Sequence, residues 1–236
     1  MKRSLAALCA LGFIAVGSVF AQSSTLPLPT FGVRGGINIA RERLSPSADI
    51  SKKSQTGGAA GVNYEFSVWQ PMNNPATGLS LRTDLLYVRA GGRFVSNGIT
   101  EKDKVDQLRL APFLVYRFAA QKFVPFIQAG PYAGIDLSHK YTLSGNVANI
   151  NVSQSGTIPN WRNGDFGLNA GLGFKIPTPA GAFSLDGRYS WGLINKFNNG
   201  SNNVSGLIGQ GSGLKRHSDG VLIMAGYDFN FMHNRY

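Results

Sequence analysis

Charged side chains of both signs recur at alternate positions along the chain, and they are the residues with the most capacity for chemistry. Successive residues of a β-strand point to opposite faces, so these charges share one face of the predicted strands. They are Arg34, Glu65, Arg82, Asp84, Arg109, Arg117, Asp136, Lys175, Asp186, Arg188 and Asp228. We predict that they form a salt-bridged interior in which Glu65 lies at the height of Arg82. A path for protons or ions is the alternative.

A second group of residues could support hydrolysis: His139, His217, Ser218 and Asp219. A histidine within hydrogen-bond reach of a hydroxyl and a carboxylate can act as a general base. We predict instead that these are polar loop residues and that the chain is not an enzyme. A hydrolase or lipid-modifying enzyme is the alternative. The one cysteine, Cys9, lies near the start of the chain, and the sequence predicts no metal site and no cofactor.

The first residues have the pattern of an export signal. Basic residues precede an apolar run over residues 5–19, and Val19 and Ala21 offer small side chains for cleavage. A run of this length is too short to cross a bilayer as a helix. The pattern predicts a signal peptide over residues 1–21, which is removed, and an N-terminal leader over residues 22–30.

The net charge indicates anionic partners. The chain has 23 Lys and Arg residues against 12 Asp and Glu residues. Removal of Lys2 and Arg3 with the signal peptide leaves 21 basic residues, an excess of nine. A charge of that size favours phosphate-bearing lipid, acidic sugar or nucleic acid as a partner. Export argues against nucleic acid.

Apolar residues alternate with polar ones over eight segments, which is typical of β-strands with two different faces. The clearest is a hairpin over residues 108–137 with a tight turn at residues 119–122. Gly91 and Gly92 predict a bulge after the third strand. The predicted strands are residues 31–40, 56–69, 79–90, 108–118, 123–137, 164–176, 182–194 and 220–231.

The connections between these strands alternate in length. Compact turns follow the second, fourth and sixth strands. The longer connections are predicted as loops over residues 41–55, 96–104, 139–163 and 195–218. The third of these contains Asn-Val-Ala-Asn-Ile-Asn-Val-Ser, which could extend the neighbouring strands.

Three features predict that the apolar faces meet lipid. Short and long connections alternate, aromatic residues gather near the strand ends, and glycine is frequent on the polar face. These features are typical of membrane barrels with a narrow interior. The sequence therefore predicts an all-β fold, an eight-stranded antiparallel up-and-down transmembrane β-barrel over residues 31–231, with an extension over residues 232–236. A soluble exported barrel is the alternative.

Several segments resemble the PorT-like outer-membrane β-barrel domain of Gram-negative bacteria. They are the strand around Pro112, the strand with Gly130-Pro131, Phe-Gly-Leu-Asn-Ala-Gly-Leu-Gly-Phe from Phe166, and Arg-Tyr-Ser-Trp-Gly-Leu-Ile-Asn from Arg188. The resemblance implies an eight-stranded barrel inserted by the outer-membrane assembly machinery. It brings no catalytic residue, and the namesake of the family is tied to a protein secretion system.

The sequence also yields predictions about assembly and binding. Gly226, Phe229 and Phe231 form the expected assembly signal of the last strand. The charges expected on the external side include Lys196 and Asp165. We predict that four basic residues there contact lipopolysaccharide phosphates: Arg41, Arg89, Arg93 and Lys140. The expected function is that of a non-enzymatic outer-membrane barrel with a plugged interior, whose loops bind an envelope component or partner protein.

Overall fold

The structure of the protein, a computed structural model, describes most of the predicted barrel. It covers residues 29–45, 51–71, 77–96, 99–118, 120, 122–147, 150–157, 163–196 and 215–230. The predicted signal peptide, residues 22–28 of the leader, Phe231 and the extension over residues 232–236 lie outside the described residues. So does most of the predicted loop over residues 195–218.

Ten β-strands run through the described residues. Their bounds are β1 Thr30–Ser45, β2 Ser51–Trp69, β3 Gly78–Ala90, β4 Gly92–Ser96, β5 Ile99–Arg117, β6 Val124–Val147, β7 Ile150–Thr157, β8 Gly164–Thr178, β9 Gly181–Gly192 and β10 Lys215–Asn230. In this part of the chain, no helix is long and apolar enough to cross a membrane.

The strands close into one antiparallel barrel. Eight barrel strands (β1, β2, β3, β5, β6, β8, β9 and β10) pair in chain order, and β10 pairs with β1 from Asn230 opposite Thr30 to Lys215 opposite Ser45. β4 continues β3 between β2 and β5, and β7 pairs with the outer part of β6. Closure satisfies the backbone groups of both edges, as a bilayer requires. The predicted eight-stranded barrel is confirmed.

Several strands are longer than a bilayer needs. A membrane strand needs about 9–11 residues, whereas β5 has 19 and β6 has 24. The outer parts of β5 and β6, with β4 and β7, therefore form an external sheet that projects beyond the barrel.

The loops predicted over residues 41–55, 96–104 and 139–163 are wrong over most of their length. These strands were not predicted because charged residues interrupt their apolar alternation, as Glu101 and Asp103 do between Ile99 and Val105. The sequence also predicted that the asparagine-rich part of the third loop could extend the neighbouring strands. This is confirmed, since β6 and β7 form a hairpin with Val147 opposite Ile150.

Apolar side chains cover the outside of the barrel. Ile135, Leu137 and Leu172 are 61%, 59% and 68% exposed, and other large apolar residues around the wall are similarly exposed. A soluble monomer rarely displays a continuous apolar belt of this kind. In a membrane barrel the belt contacts lipid, which is the facing that the sequence predicts.

The interior also contains apolar side chains. One buried cluster is formed by Ala59, Leu86, Val88, Leu222 and Met224, and a second by Ala111, Phe113, Val115, Phe126 and Tyr132. The second cluster lies behind a gap in the β5–β6 pairing, which is interrupted around Pro112 and Pro131. The gap arises because proline has no N–H to donate to a neighbouring strand. The buried rings of Phe113 and Tyr132 lie on the lumen side of this gap. Gly91, with φ of 151°, forms the predicted irregularity between β3 and β4.

Candidate functional site

The buried charges form three tiers along the barrel, and the central tier crosses the whole lumen. Asp186 on β9 lies 2.5 Å from Arg34 on β1 and 2.8 Å from Arg188. Arg188 also lies 2.8 Å from Asp84 on β3, and Arg82 lies 3.1 Å from Asp84. β3 and β9 are four places apart in the ring of eight barrel strands. The Arg188–Asp84 pair therefore spans the full width of the interior.

The lower tier lies toward the short turns. Lys175 Nζ on β8 is 2.8 Å from Glu65 on β2 and 2.8 Å from Asp228 on β10. Arg117, which is partly buried at the end of β5, is 3.8 Å from Glu65. β2 and β8 are also four places apart in the ring, so the Lys175–Glu65 pair spans the lumen a second time.

The upper tier lies toward the external sheet. Lys196, four residues past β9, has its Nζ 3.0 Å from Asp136 and 3.6 Å from Asp165. Arg109 lies 3.7 Å from Asp165, and Gln107 donates a hydrogen bond to Asp136 at 2.5 Å. The sequence places Lys196 and Asp165 on the external side, and the structure shows both buried at that end of the lumen. Both lie at or beyond a strand end, where alternation gives little guidance about direction.

Aromatic rings fill the space between the charged groups. The guanidinium groups of Arg82 and Arg188 lie 5.2 Å and 4.8 Å from the centre of the Phe113 ring. Arg109 lies 4.8 Å from the centre of the Tyr132 ring. A cation over an aromatic face is stabilised, and more so where water is excluded. These inward rings were not predicted, although Phe113 alternates in phase with Arg109 and Arg117.

The interior is close to electrically neutral. Among the described residues, seven acidic and six basic residues are buried, and the partly buried Arg117 supplies a further positive charge. The formal net charge of the whole chain is +11. The buried charges of the described residues therefore contribute almost nothing to this positive excess.

Glu65 and Arg82 lie directly opposite each other on β2 and β3, but their side chains have different partners. The Glu65 carboxylate contacts Lys175 and Arg117. The Arg82 guanidinium contacts Asp84 and donates to the Gln128 side chain. Glu65 thus lies at the height of Arg82, as predicted, but its closest ion pair crosses the lumen to Lys175.

Glu65→Gln and Lys175→Met are each expected to lower the free energy of unfolding by about 3–5 kcal/mol, because each leaves a buried charge without its partner. The double variant should lose much less than the sum of the two. The coupling between Glu65→Gln and Arg82→Gln should be smaller, because Lys175 and Arg117 rather than Arg82 contact the Glu65 carboxylate. Urea unfolding in detergent micelles measures the five variants against the wild type. A Glu65–Arg82 coupling as large as the Glu65–Lys175 coupling would contradict the observed pairing.

The histidines of the hydrolase alternative lie on different barrel strands. His139 is on β6 and His217 on β10, with β8 and β9 between them. Along β10, alternation directs Ser218 to the opposite face from His217 and Asp219. Asp219 accepts a hydrogen bond from the backbone N–H of Gly192 at 3.1 Å. Within the described ranges, no group of three or more His, Cys, Asp or Glu side chains could hold a metal ion.

The basic residues predicted to contact lipid phosphates are spread over four strands: Arg41 on β1, Arg89 on β3, Arg93 on β4 and Lys140 on β6. Arg89 already has partners, since it donates to Asp106 at 2.8 Å and to the Tyr87 hydroxyl at 3.3 Å. Arg41 is exposed but separated from β3 by β2. The structure therefore does not bring these four positions together as one site.

Comparison with known proteins identifies the family. A sequence profile described as the outer membrane protein beta-barrel domain matches residues 20–198. The chain belongs to this family. It is an outer-membrane β-barrel protein, as the sequence pattern predicts.

Solved structures of other outer-membrane barrels are similar to this one. Neisserial surface protein A is 16% identical, with 85% of this chain and 97% of that chain covered and a TM-score of 0.42. Ail of Yersinia pestis, in complex with the heparin analogue sucrose octasulfate, is 17% identical over 86% and 99%, with a TM-score of 0.38. The outer membrane enzyme PagL is 16% identical over 80% and 97%, with a TM-score of 0.38. No curated protein matches the chain. Similarity at this level says nothing about what this chain binds.

The last strand of this outer-membrane barrel contains two of the predicted assembly residues. Gly226 faces inward, where an added Cβ would lie 2.9 Å from Arg34 Cγ and closer still to the backbone of β1, so only glycine fits. Phe229 is exposed on the outside, and its ring meets that of Tyr227 edge to face with centroids 4.8 Å apart. Phe231 lies outside the described residues.

Proposed function

We propose that the protein is a non-enzymatic outer-membrane barrel that passes no solute and acts through its external side. The observation that supports this most is the filled lumen. Two buried ion pairs, Arg188–Asp84 and Lys175–Glu65, each cross its full width. Breaking a buried pair leaves an uncompensated charge at a cost of about 3–5 kcal/mol. A solute could pass only by disrupting several such pairs at once.

The external side supports a binding role. The external sheet extends the barrel well beyond the length that a bilayer requires, and exposed basic residues lie on it, among them Lys102, Lys104 and Lys140. An anionic envelope component or a partner protein is the expected ligand. The resemblance to PorT-like barrels, whose namesake is tied to protein secretion, favours a protein partner as well. Insertion would require the outer-membrane assembly machinery, and lipopolysaccharide would be the anionic lipid nearest to the sheet.

In planar bilayers, the wild-type protein is expected to show no stable conductance steps. A variant that lacks both lumen-crossing pairs, with serine at Asp84, Arg188, Glu65 and Lys175, should conduct ions, because water replaces the lost side chains. Faster gel migration of an unheated than of a boiled sample confirms that the variant is folded. Stable wild-type conductance would contradict the closed interior, and histidine-dependent release of fatty acid from lipopolysaccharide would overturn the non-enzymatic role.

A further inference from the structure

The outward face of the external sheet contains basic residues that strand pairing brings together. Lys104 on β5 lies opposite Lys140 on β6. One row farther from the barrel, Lys102 on β5 lies opposite Arg93 on β4, which in turn lies opposite Lys53 on β2. Residues directly opposite on neighbouring strands share one face of a sheet. These five positions are called the basic face below.

The basic face has little compensation from acidic residues. The side chains of Lys102, Lys104 and Lys140 are exposed. Asp106, two residues along β5 from Lys104, lies at the lower edge of the face, and its carboxylate accepts a hydrogen bond from Arg89 at 2.8 Å. The other acid in this part of β5 with a described side chain is buried on the inward face. The face therefore keeps a strong positive charge.

Like charges placed directly opposite each other destabilise a pair of strands. The basic face contains such a pairing at Lys104–Lys140, whose side chains are both exposed. This repulsion weakens the external sheet unless an anion lies over it. An anion with several negative groups matches this arrangement best, because it can meet both rows at once.

The height of the basic face selects the kind of anion. Tyr87 on β3, Leu108 on β5 and Ile135 on β6 form an exposed row on the same outward face, closer to the membrane. The Lys104–Lys140 pair lies two rows farther out, a rise of about 10 Å for strands with 3.4 Å per residue and a tilt near 40°. The headgroup layer is about 5–8 Å thick on each side of the hydrocarbon core. Flexible lysine side chains can reach down from this height into the layer.

We propose that the basic face binds the phosphate groups of lipids in the outer leaflet. Ammonium and guanidinium groups form short charge-assisted hydrogen bonds to phosphate oxygens, and the two rows offer donors to more than one phosphate. The proposal rests on the proposed function and names its anionic component. Of the residues predicted from the sequence to contact lipid phosphates, the proposal keeps Arg93 and Lys140 and leaves out Arg41 and Arg89. It adds Lys102 and Lys104.

The test compares the full-length barrel in neutral detergent with a variant that combines Lys102→Gln, Lys104→Gln and Lys140→Gln. Binding is measured to lipopolysaccharide with its lipid A phosphates intact and to the same material after enzymatic dephosphorylation. Each basic side chain near an anionic surface strengthens binding about fivefold. The triple variant should therefore bind the phosphorylated form roughly a hundredfold more weakly at low salt. Both proteins should bind the dephosphorylated form equally weakly.

A control variant removes charge away from the basic face through Arg41→Gln and Lys122→Gln, both at exposed positions. It should bind the phosphorylated form nearly as well as the wild type does. Three results would each overturn the proposal: undiminished binding by the triple variant, an equal loss in the control, or wild-type binding that ignores dephosphorylation. Binding to a sulfated glycan is measured in parallel. If the triple variant lost glycan binding while its lipid binding stayed unchanged, the proposal would be overturned and the face would be assigned to a glycan. A conducting wild-type barrel would refute the closed interior and leave the lipid result standing.

Discussion

Asp186→Asn is expected to lower the free energy of unfolding of the barrel by about 3–5 kcal/mol. Asp186 contacts Arg34 and Arg188, and it accepts a hydrogen bond from the Gln128 amide at 3.0 Å. The asparagine has the same shape but no charge, so it leaves two guanidinium groups short of a counterion at the centre of the lumen. Urea unfolding in detergent micelles measures the loss.

A matched control for this variant is Asp106→Asn. Asp106 pairs with Arg89 at 2.8 Å, but the Arg89 side chain is 50% exposed. Exposed ion pairs contribute about 0–1 kcal/mol, so the control should unfold at nearly the wild-type urea concentration. Equal small losses in both variants would show that water reaches Asp186 and that the central tier is not a sealed plug.

Phe229→Ala combined with Phe231→Ala is expected to lower the folded yield in the outer membrane several-fold. The ring of Phe229 meets that of Tyr227, which in turn meets Phe183 on β9 with centroids 4.8 Å apart. The substitutions remove the end of this aromatic chain at the boundary where rings favour the membrane interface. Deletion of residues 232–236 should have a much smaller effect. The heat-modifiable fraction of the protein in membranes measures the yield.

Phe166→Ala provides the control, because Phe166 is equally exposed on the outside but lies near the external end of β8. Its loss should leave the folded yield close to wild type, since the residue is not part of the final strand. If the deletion of residues 232–236 proves more damaging than the change at Phe231, the assembly signal includes Tyr236. The predicted register of the chain beyond Asn230 would then be wrong.

The sequence by itself determined the fold and the direction in which most side chains point. Along β9, for example, Asp186, Arg188 and Ser190 are buried while Leu185 and Trp191 are exposed, as their alternation predicts. This works because the direction of a strand residue is a local property with a period of two. The lipid-facing side adds an apolar requirement at every second residue, so the signal repeats in each membrane-spanning segment.

Strand length beyond the membrane was not determined in this way. In the outer part of β5, Ile99 and Val105 fall on one face, but the acids Glu101 and Asp103 between them interrupt the apolar alternation. Antiparallel pairing with β4 and β7 satisfies the backbone of these segments. The sequence therefore predicted loops where the structure has a sheet, and the basic face could not be recognised.

Only the tertiary structure decided which charges meet. Alternation along each strand predicted that Glu65 and Lys175 both point inward. It could not predict that they lie at the same height on opposite walls of the barrel. That height depends on the tilt of the strands and on the closure of β10 against β1, which are properties of the whole ring. Lys104 likewise meets Lys140, and Lys102 meets Arg93, through registers between strands that the sequence treats as separate. Contacts across a lumen or a sheet are non-local, and a pattern read along one strand contains no information about them.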